Sequence, residues 1–208
     1  MDKPILERLP LPLAAALGEA ARRWRDLNRP WLVGGSCGLA LQGVSIAADP
    51  RDLDVYVDAP DAVFFHREMS SYAIDEQLPS ETGRYRSILS HYQVAGVTLE
   101  LVAGFEVRAE GALYRVDIAG LLAPCAMRTE AGGAPVGVMP LAHELVFNLL
   151  REREDRYAAI AETMRCDLPR HLAALRRIID RNAFDTHWIR KMSALLAAAP
   201  ELLASQEA

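Results

Sequence analysis

The sequence predicts an α+β (α/β-like) domain: a mixed β-sheet core flanked by helices, followed by a C-terminal helical segment. Three observations lead there. Residues 52–58, DLDVYVD, alternate between polar and apolar, the period of a strand with one buried face. YRSILSHYQV and VTLELVAG are β-rich runs on either side of Ala95-Gly96, which reads as a hairpin. From about Pro140 onward the strand-like runs give way to helical spacing. The 208 residues suit one domain, or one domain with an appendage. The division read here is a core over residues 1–139 and a helical region over 140–208 packed on it.

Taken in order, residues 11–28 repeat apolar positions at helical spacing, and Pro30 closes the segment. Trp31-Leu32-Val33 is a short strand stopped by Gly34 and Gly35. The stretch SCGLALQG then reads as a helix with Ser36 near its start, and VSIAADPR as a loop. On the strand at 52–58, Leu53, Val55 and Val57 face one way, while Asp52, Asp54 and Tyr56 face the other. Residues 60–73 read as a helix opened by Pro60 and Asp61, and FEVRAEGALYRV as a second hairpin turning near Gly111. The tail begins with a helical run from Pro140 to Met164, broken near 151–154. A second run opens at Pro169 and reaches about Arg181, and a third, THWIRKMSALLAAA, is limited by Pro200.

Composition narrows the function classes. Hydrophobic residues make up 51% and charged residues 25%, ordinary for a globular chain with a real core. The net charge of −5 argues against broad nucleic-acid binding, which needs a basic surface. Arg165, Arg170, Arg176, Arg177, Arg181 and Arg190 do concentrate positive charge late in the chain. They read first as a solvated helix face, and second as a docking surface for RNA or phosphate. Cys37, Cys125 and Cys166 are odd in number and widely spaced, so reduced, mostly buried thiols are expected rather than disulfides or a zinc site. The N-terminus lacks a signal-peptide pattern, and no apolar run reaches the ~18 residues of a membrane span, so the expectation is a cytoplasmic protein. The three tryptophans, Trp24, Trp31 and Trp188, are expected to anchor the core.

The chemistry concentrates at two places. Asp52 and Asp54 lie on one strand face about 7 Å apart, from a rise of about 3.3 Å per residue. Two such carboxylates suit a shared hard cation such as Mg²⁺, although a solvated pair of acids gives the same pattern. Upstream, Val33-Gly34-Gly35-Ser36 follows a strand and opens a helix, where glycine allows close approach and a helix N-terminus favours phosphate. It fits neither the Walker A nor the GxGxxG pattern. Glu100 is the lone acid in VTLELV and points away from Leu99 and Leu101. Asp117 is its rival as a third carboxylate. None of the five histidines pairs at metal-ligand spacing, and His91, on the strand leading to Glu100, is the one within reach of this site.

Strand, Gly-Gly-Ser, helix, loop and Asp-x-Asp strand together, in LVGGSCGLALQG followed by RDLDVYVD, resemble the signature of the DNA polymerase β-type nucleotidyltransferase superfamily. The antibiotic-modifying and abortive-infection toxin-like branches are nearest in pattern. The resemblance implies a metal-dependent enzyme that moves a nucleoside monophosphate from an NTP to an acceptor and releases pyrophosphate. It implies that Asp52, Asp54 and Glu100 hold Mg²⁺ or Mn²⁺, and that Gly34, Gly35 and Ser36 hold the triphosphate. The acceptor is either a small molecule, such as an antibiotic, or tRNA or protein met by the arginine-bearing tail. The resemblance extends to MPLAHELVFNLLRERED, where relatives carry a phosphate-contacting lysine. This chain has Asn148 there, with Arg151, Arg153 or Arg156 as replacements for the charge. That departure also raises an alternative, a catalytically inactive binding module such as an antitoxin or regulatory partner.

Overall fold

In the computed structural model, which describes residues 5–199 and Leu203, a single mixed sheet separates two helical layers. Pro200, expected to limit the last helix, lies outside the described residues, as do residues 1–4. The front of the chain runs α1 (Leu11–Trp24), β1 (Leu32–Val33), α2 (Gly35–Leu41), β2 (Asp52–Val57) and α3 (Ala62–Met69). It continues with β3 (Leu78–Glu81), β4 (Tyr85–Val94), β5 (Val97–Ala109), β6 (Ala112–Arg115), β7 (Met127–Ala131) and β8 (Ala134–Val138). The tail adds α4 (Leu141–Leu150), α5 (Glu154–Cys166), α6 (Leu168–Asp180), β9 (Ala183–Phe184) and α7 (Thr186–Leu196).

The main strand order is β3-β4-β5-β2-β1-β8-β7, with β6 on β5 and β9 on β6. β2 lies antiparallel to β1 and parallel to β5, in a register that pairs Asp54 with Glu100. β4 and β5 form the expected hairpin, with Ala95 at φ 50° and Gly96 at φ 80° in its turn. Both residues are left-handed, as a tight two-residue turn between twisted strands requires. Gly111, at φ 68°, makes the next turn, from β5 into β6.

Side-chain alternation sorts the core into two clusters. Leu53, Val55 and Val57 of β2, with Leu99, Leu101 and Ala103 of β5, pack against Leu13, Leu17 and Trp24 of α1 and Phe65 of α3. The opposite face carries Tyr56, Val102 and Phe105, which join Leu145, Ile160, Leu175 and Trp188 from the tail. Each large apolar side chain fully buried in this way stabilises by about 1.5–3 kcal/mol. The tail therefore shares the core of the front part, and its short strand β9 extends the front's sheet through Ala112–Phe184 pairing.

Several local expectations change. α1 stops at Trp24, four residues early, because Leu27 closes a tight turn onto the Trp24 carbonyl and Asn28 turns left-handed at φ 51°. The helix expected over 60–73 is α3 framed by single 3₁₀ turns. The break near 151–154 falls between α4 and α5, where Glu152 sits at φ 60°. Of the thiols only Cys37 is buried; Cys125 is half-buried and Cys166 exposed, since the latter two lie on the periphery of their helices. All three tryptophans are buried. No helix among the described residues is long and apolar enough to cross a membrane.

Candidate active site

The site grows from the β1–α2 junction. β1 delivers the chain to Gly34, whose amide donates to the Asp54 carbonyl at 3.0 Å and so ties the turn to β2. Gly35 then adopts φ +57°, a conformation that favours glycine. A Cβ built there would stand 1.9 Å from Asp54 Oδ2, so the Asp54 carboxylate lies directly against this bare backbone. At Gly34 a Cβ would meet the Tyr56 ring at 2.8 Å. The two glycines are there because the side chains of β2 need their space.

Asp54 and Glu100 are cross-strand partners in neighbouring parallel strands, on the same face as Tyr56 and Val102. Adjacent strands lie about 4.8 Å apart, so both carboxyl groups issue from one small area. Asp54 is pushed up to about 8 by burial, with Asp52, Glu100 and Glu144 adding their negative charge. Among the described residues no hydrogen-bond donor meets the Asp54 carboxylate. Asp52, two residues earlier on the same face, is exposed, and its carbonyl accepts a 3.1 Å hydrogen bond from Cys37 Sγ. Burial, reinforced by Asp54 and Asp52, pushes that thiol up to about 12, so Cys37 packs rather than reacts.

Glu100 has a support the sequence only hinted at. His91 Nε2 lies 3.0 Å from Glu100 Oε2, and the other ring nitrogen meets Asp75 at 2.5 Å. Burial lowers His91, but the Asp75 and Glu100 carboxylates outweigh it and leave the imidazole raised. The rival Asp117 is not brought here. It accepts from the Gly120 amide at 2.7 Å, capping a short helical turn, and from Arg181 at 3.1 Å.

These groups open onto a cavity of about 350 Å³. Gly35, Ser36, Asp54 and Glu100 line it together with the rings of Tyr85, Phe105 and Phe147 and the apolar Leu89 and Val102. Phe105 and Phe147 meet edge to face with centroids 5.3 Å apart. Asn148, Arg151 and Arg156 enter from the α4–α5 corner. Arg156 donates to Ser36 Oγ at 3.3 Å, and Arg151 donates to Asn148 Oδ1 at 2.9 Å. Arg153 instead pairs with Asp155. Asp52 lies outside the cavity lining, at one end of the same strand face.

Sequence reasoning passed over Glu144. It is 1% exposed, and its Oε1 accepts the Gly35 amide at 2.8 Å. With both glycine amides engaged inside the protein, the Ser36 hydroxyl, Asn148 and the two arginines are left as polar groups lining the cavity beside the turn. The available signal was three polar residues, His143, Glu144 and Asn148, in the otherwise apolar helix LAHELVFNLL, every residue of which is buried.

The residues suit a divalent cation by donor chemistry: hard carboxylate oxygens crowd together, and His91 at Glu100 and the more distant Arg151 leave Asp54 still raised. Among the described residues no three His, Cys, Asp or Glu side chains form a ready-made cation site. Mg²⁺ rarely needs one, because it takes one or two carboxylates together with substrate phosphates and water.

No family model and no curated protein matches the sequence. Among solved structures, a candidate nucleotidyltransferase from Thermotoga maritima matches at 25% identity and TM-score 0.56, over 74% of this chain and 90% of that one. The antibiotic-resistance factor ANT(2'')-Ia matches at 10% identity and TM-score 0.49, over 81% of this chain and 91% of that one. The lincosamide antibiotic adenylyltransferase LnuA matches at 10% and 0.42, over 70% and 94%. The last two likenesses are too loose to build on. The first joins the strand register and the glycine turn in one conclusion: this chain has the nucleotidyltransferase fold.

Proposed function

We propose that the protein is a metal-dependent nucleotidyltransferase that moves a nucleoside monophosphate from an NTP to an acceptor hydroxyl or phosphate. The observation that carries this reading is the pairing of Asp54 with Glu100 on one sheet face, beside a cavity that Gly35 and Ser36 also line. Asp52, Asp54 and Glu100 would hold Mg²⁺ or Mn²⁺, which supplies charge neutralisation of the triphosphate and a lowered pKa at the acceptor hydroxyl. The Ser36 hydroxyl, Arg156 and Arg151 would bind the triphosphate, replacing the lysine missing at Asn148. His91, itself held by Asp75, orients the Glu100 carboxylate. The acceptor oxygen forms a bond to the α-phosphorus as the bond to pyrophosphate breaks, and the protein contributes chiefly position and charge.

The aromatic rings that line the cavity favour an acceptor or base with a flat apolar face. The arginine-bearing tail gives RNA less support. Arg177 and Arg181 both donate to the Gly120 carbonyl, and Arg165 to the Leu195 carbonyl, so these side chains are spent on holding helices in place. A catalytically inactive binding module is the second reading, and the engaged glycine amides together with Asn148 favour it. Binding and turnover of labelled NTPs with Mg²⁺ separate the two. If the D52N/D54N double variant alters neither metal nor NTP affinity, the enzyme reading is wrong.

A further inference from the structure

Helix α4 carries a buried acid for which the proposed chemistry has no use. Glu144 is 1% exposed and sits among glycines: its Oε1 accepts the Gly35 amide at 2.8 Å and lies 3.0 Å from where a Gly34 Cβ would stand. A Cβ on Gly38 would stand 3.8 Å from the same oxygen. The second oxygen is 3.5 Å from Asn148 Nδ2, and Asn148 in turn accepts from Arg151. A carboxylate in such a place costs more than a hydrocarbon of the same shape unless its hydrogen bonds are needed.

The need lies in the turn. Gly35 is left-handed, and the space above its Cα is filled by the Asp54 carboxylate. Its amide faces α4, where Glu144 is the acceptor. Without that acceptor a part-buried amide loses its partner, and the turn has reason to rotate towards water. Any such rotation shifts the surface against which Asp54 rests, and shifts Ser36 immediately after it.

We propose that Glu144 is a positioning residue: it fixes the Gly34–Gly35–Ser36 turn from across the fold, and so sets where Asp54 and the Ser36 hydroxyl meet the nucleotide. The link to nucleotide rests on the nucleotidyltransferase reading above; the link to the turn does not.

The test uses the full chain, with amide hydrogen exchange at Gly35 read by NMR and ATP·Mg²⁺ affinity read by calorimetry. E144Q keeps an acceptor oxygen, E144D withdraws it by one methylene, and E144M removes it at similar volume. Expected are Gly35 protection and ATP affinity largely retained in E144Q. In E144D and E144M, exchange should be at least tenfold faster and ATP binding about tenfold weaker, the scale of one lost charged hydrogen bond. Should E144M not fold, E144D carries the comparison. Equal Gly35 exchange in wild type and E144D overturns the proposal, as does an E144Q as impaired as E144D. If the wild-type protein binds no NTP, the proposed function fails, and the exchange arm still decides whether Glu144 sets the turn.

Discussion

Replacing Gly35 by alanine tests the heart of the site, because its cost can be worked out and matched against a control. At φ +57° an added Cβ carries the left-handed penalty of about 1–2 kcal/mol. The Cβ also lands 1.9 Å from Asp54 Oδ2, whereas non-bonded contacts want about 3.5 Å. The carboxylate must then retreat by about 1.5 Å, at a further ~0.5–1.5 kcal/mol if it leaves its rotamer. Gly96→Ala is the control: it meets the same backbone penalty at φ +80°, with nothing within 4 Å of the new Cβ. Both variants should lose thermal stability by several degrees, since ~1 kcal/mol shifts Tm by about 2–4 °C at this size. Only G35A should also lose NTP turnover, by about a hundredfold, the cost of misplacing a reacting group by ~1 Å. Melting curves and single-turnover assays on both proteins decide it. If G35A turns over NTP as well as G96A does, Asp54 does not act from the position described.

Two further outcomes follow from the same geometry. Burial first, and then Arg151, lower His143 from its ordinary 6.5 to about 3, and among the described residues its Nε2 has no hydrogen-bond partner. Below pH 6.5 the unfolded chain takes up a proton that the folded chain refuses, so stability falls with acidification until about pH 3. The unfolding free energy from denaturant titration should therefore drop by about 1 kcal/mol more between pH 6.5 and 5.5 in wild type than in His143→Phe; parallel curves would refute this. Arg156→Gln should weaken ATP·Mg²⁺ binding by tenfold or more, the scale of a lost charged contact, with melting behaviour little changed; undiminished affinity would remove Arg156 from the phosphate side.

Much of this arrangement was legible in the residues, and the reasons differ by element. β2 was readable because one face is buried against α1 while the other opens onto the cavity, so polarity alternates along DLDVYVD. The β4–β5 hairpin was readable because its two-residue turn demands left-handed backbone and Ala95-Gly96 supplies it. Other elements gave weaker signals. β3, LPSE, is a mostly exposed edge strand, so no burial period is imprinted on it. The β7–β8 hairpin turns on Gly132-Gly133, a usable turn signal, but β7 buries only Ala131. Glu144 could not be oriented from its own helix. α4 is buried on every side, so no polar face tells which direction its acid points. The carboxylate reaches its partner 109 residues earlier, a contact that only the folded topology creates.

That full enclosure of α4 bears on how the protein can change over time. Its apolar residues hold the tail while Glu144, Phe147 and Asn148 line the cavity, so one ten-residue segment serves both scaffold and pocket. A new tail could not be grafted on as a cassette without rebuilding the pocket wall with it. Drift in what the cavity admits should therefore accumulate at the exposed edge strand β3 and the turn that follows it, whose Ser80 and Thr82 line the same cavity.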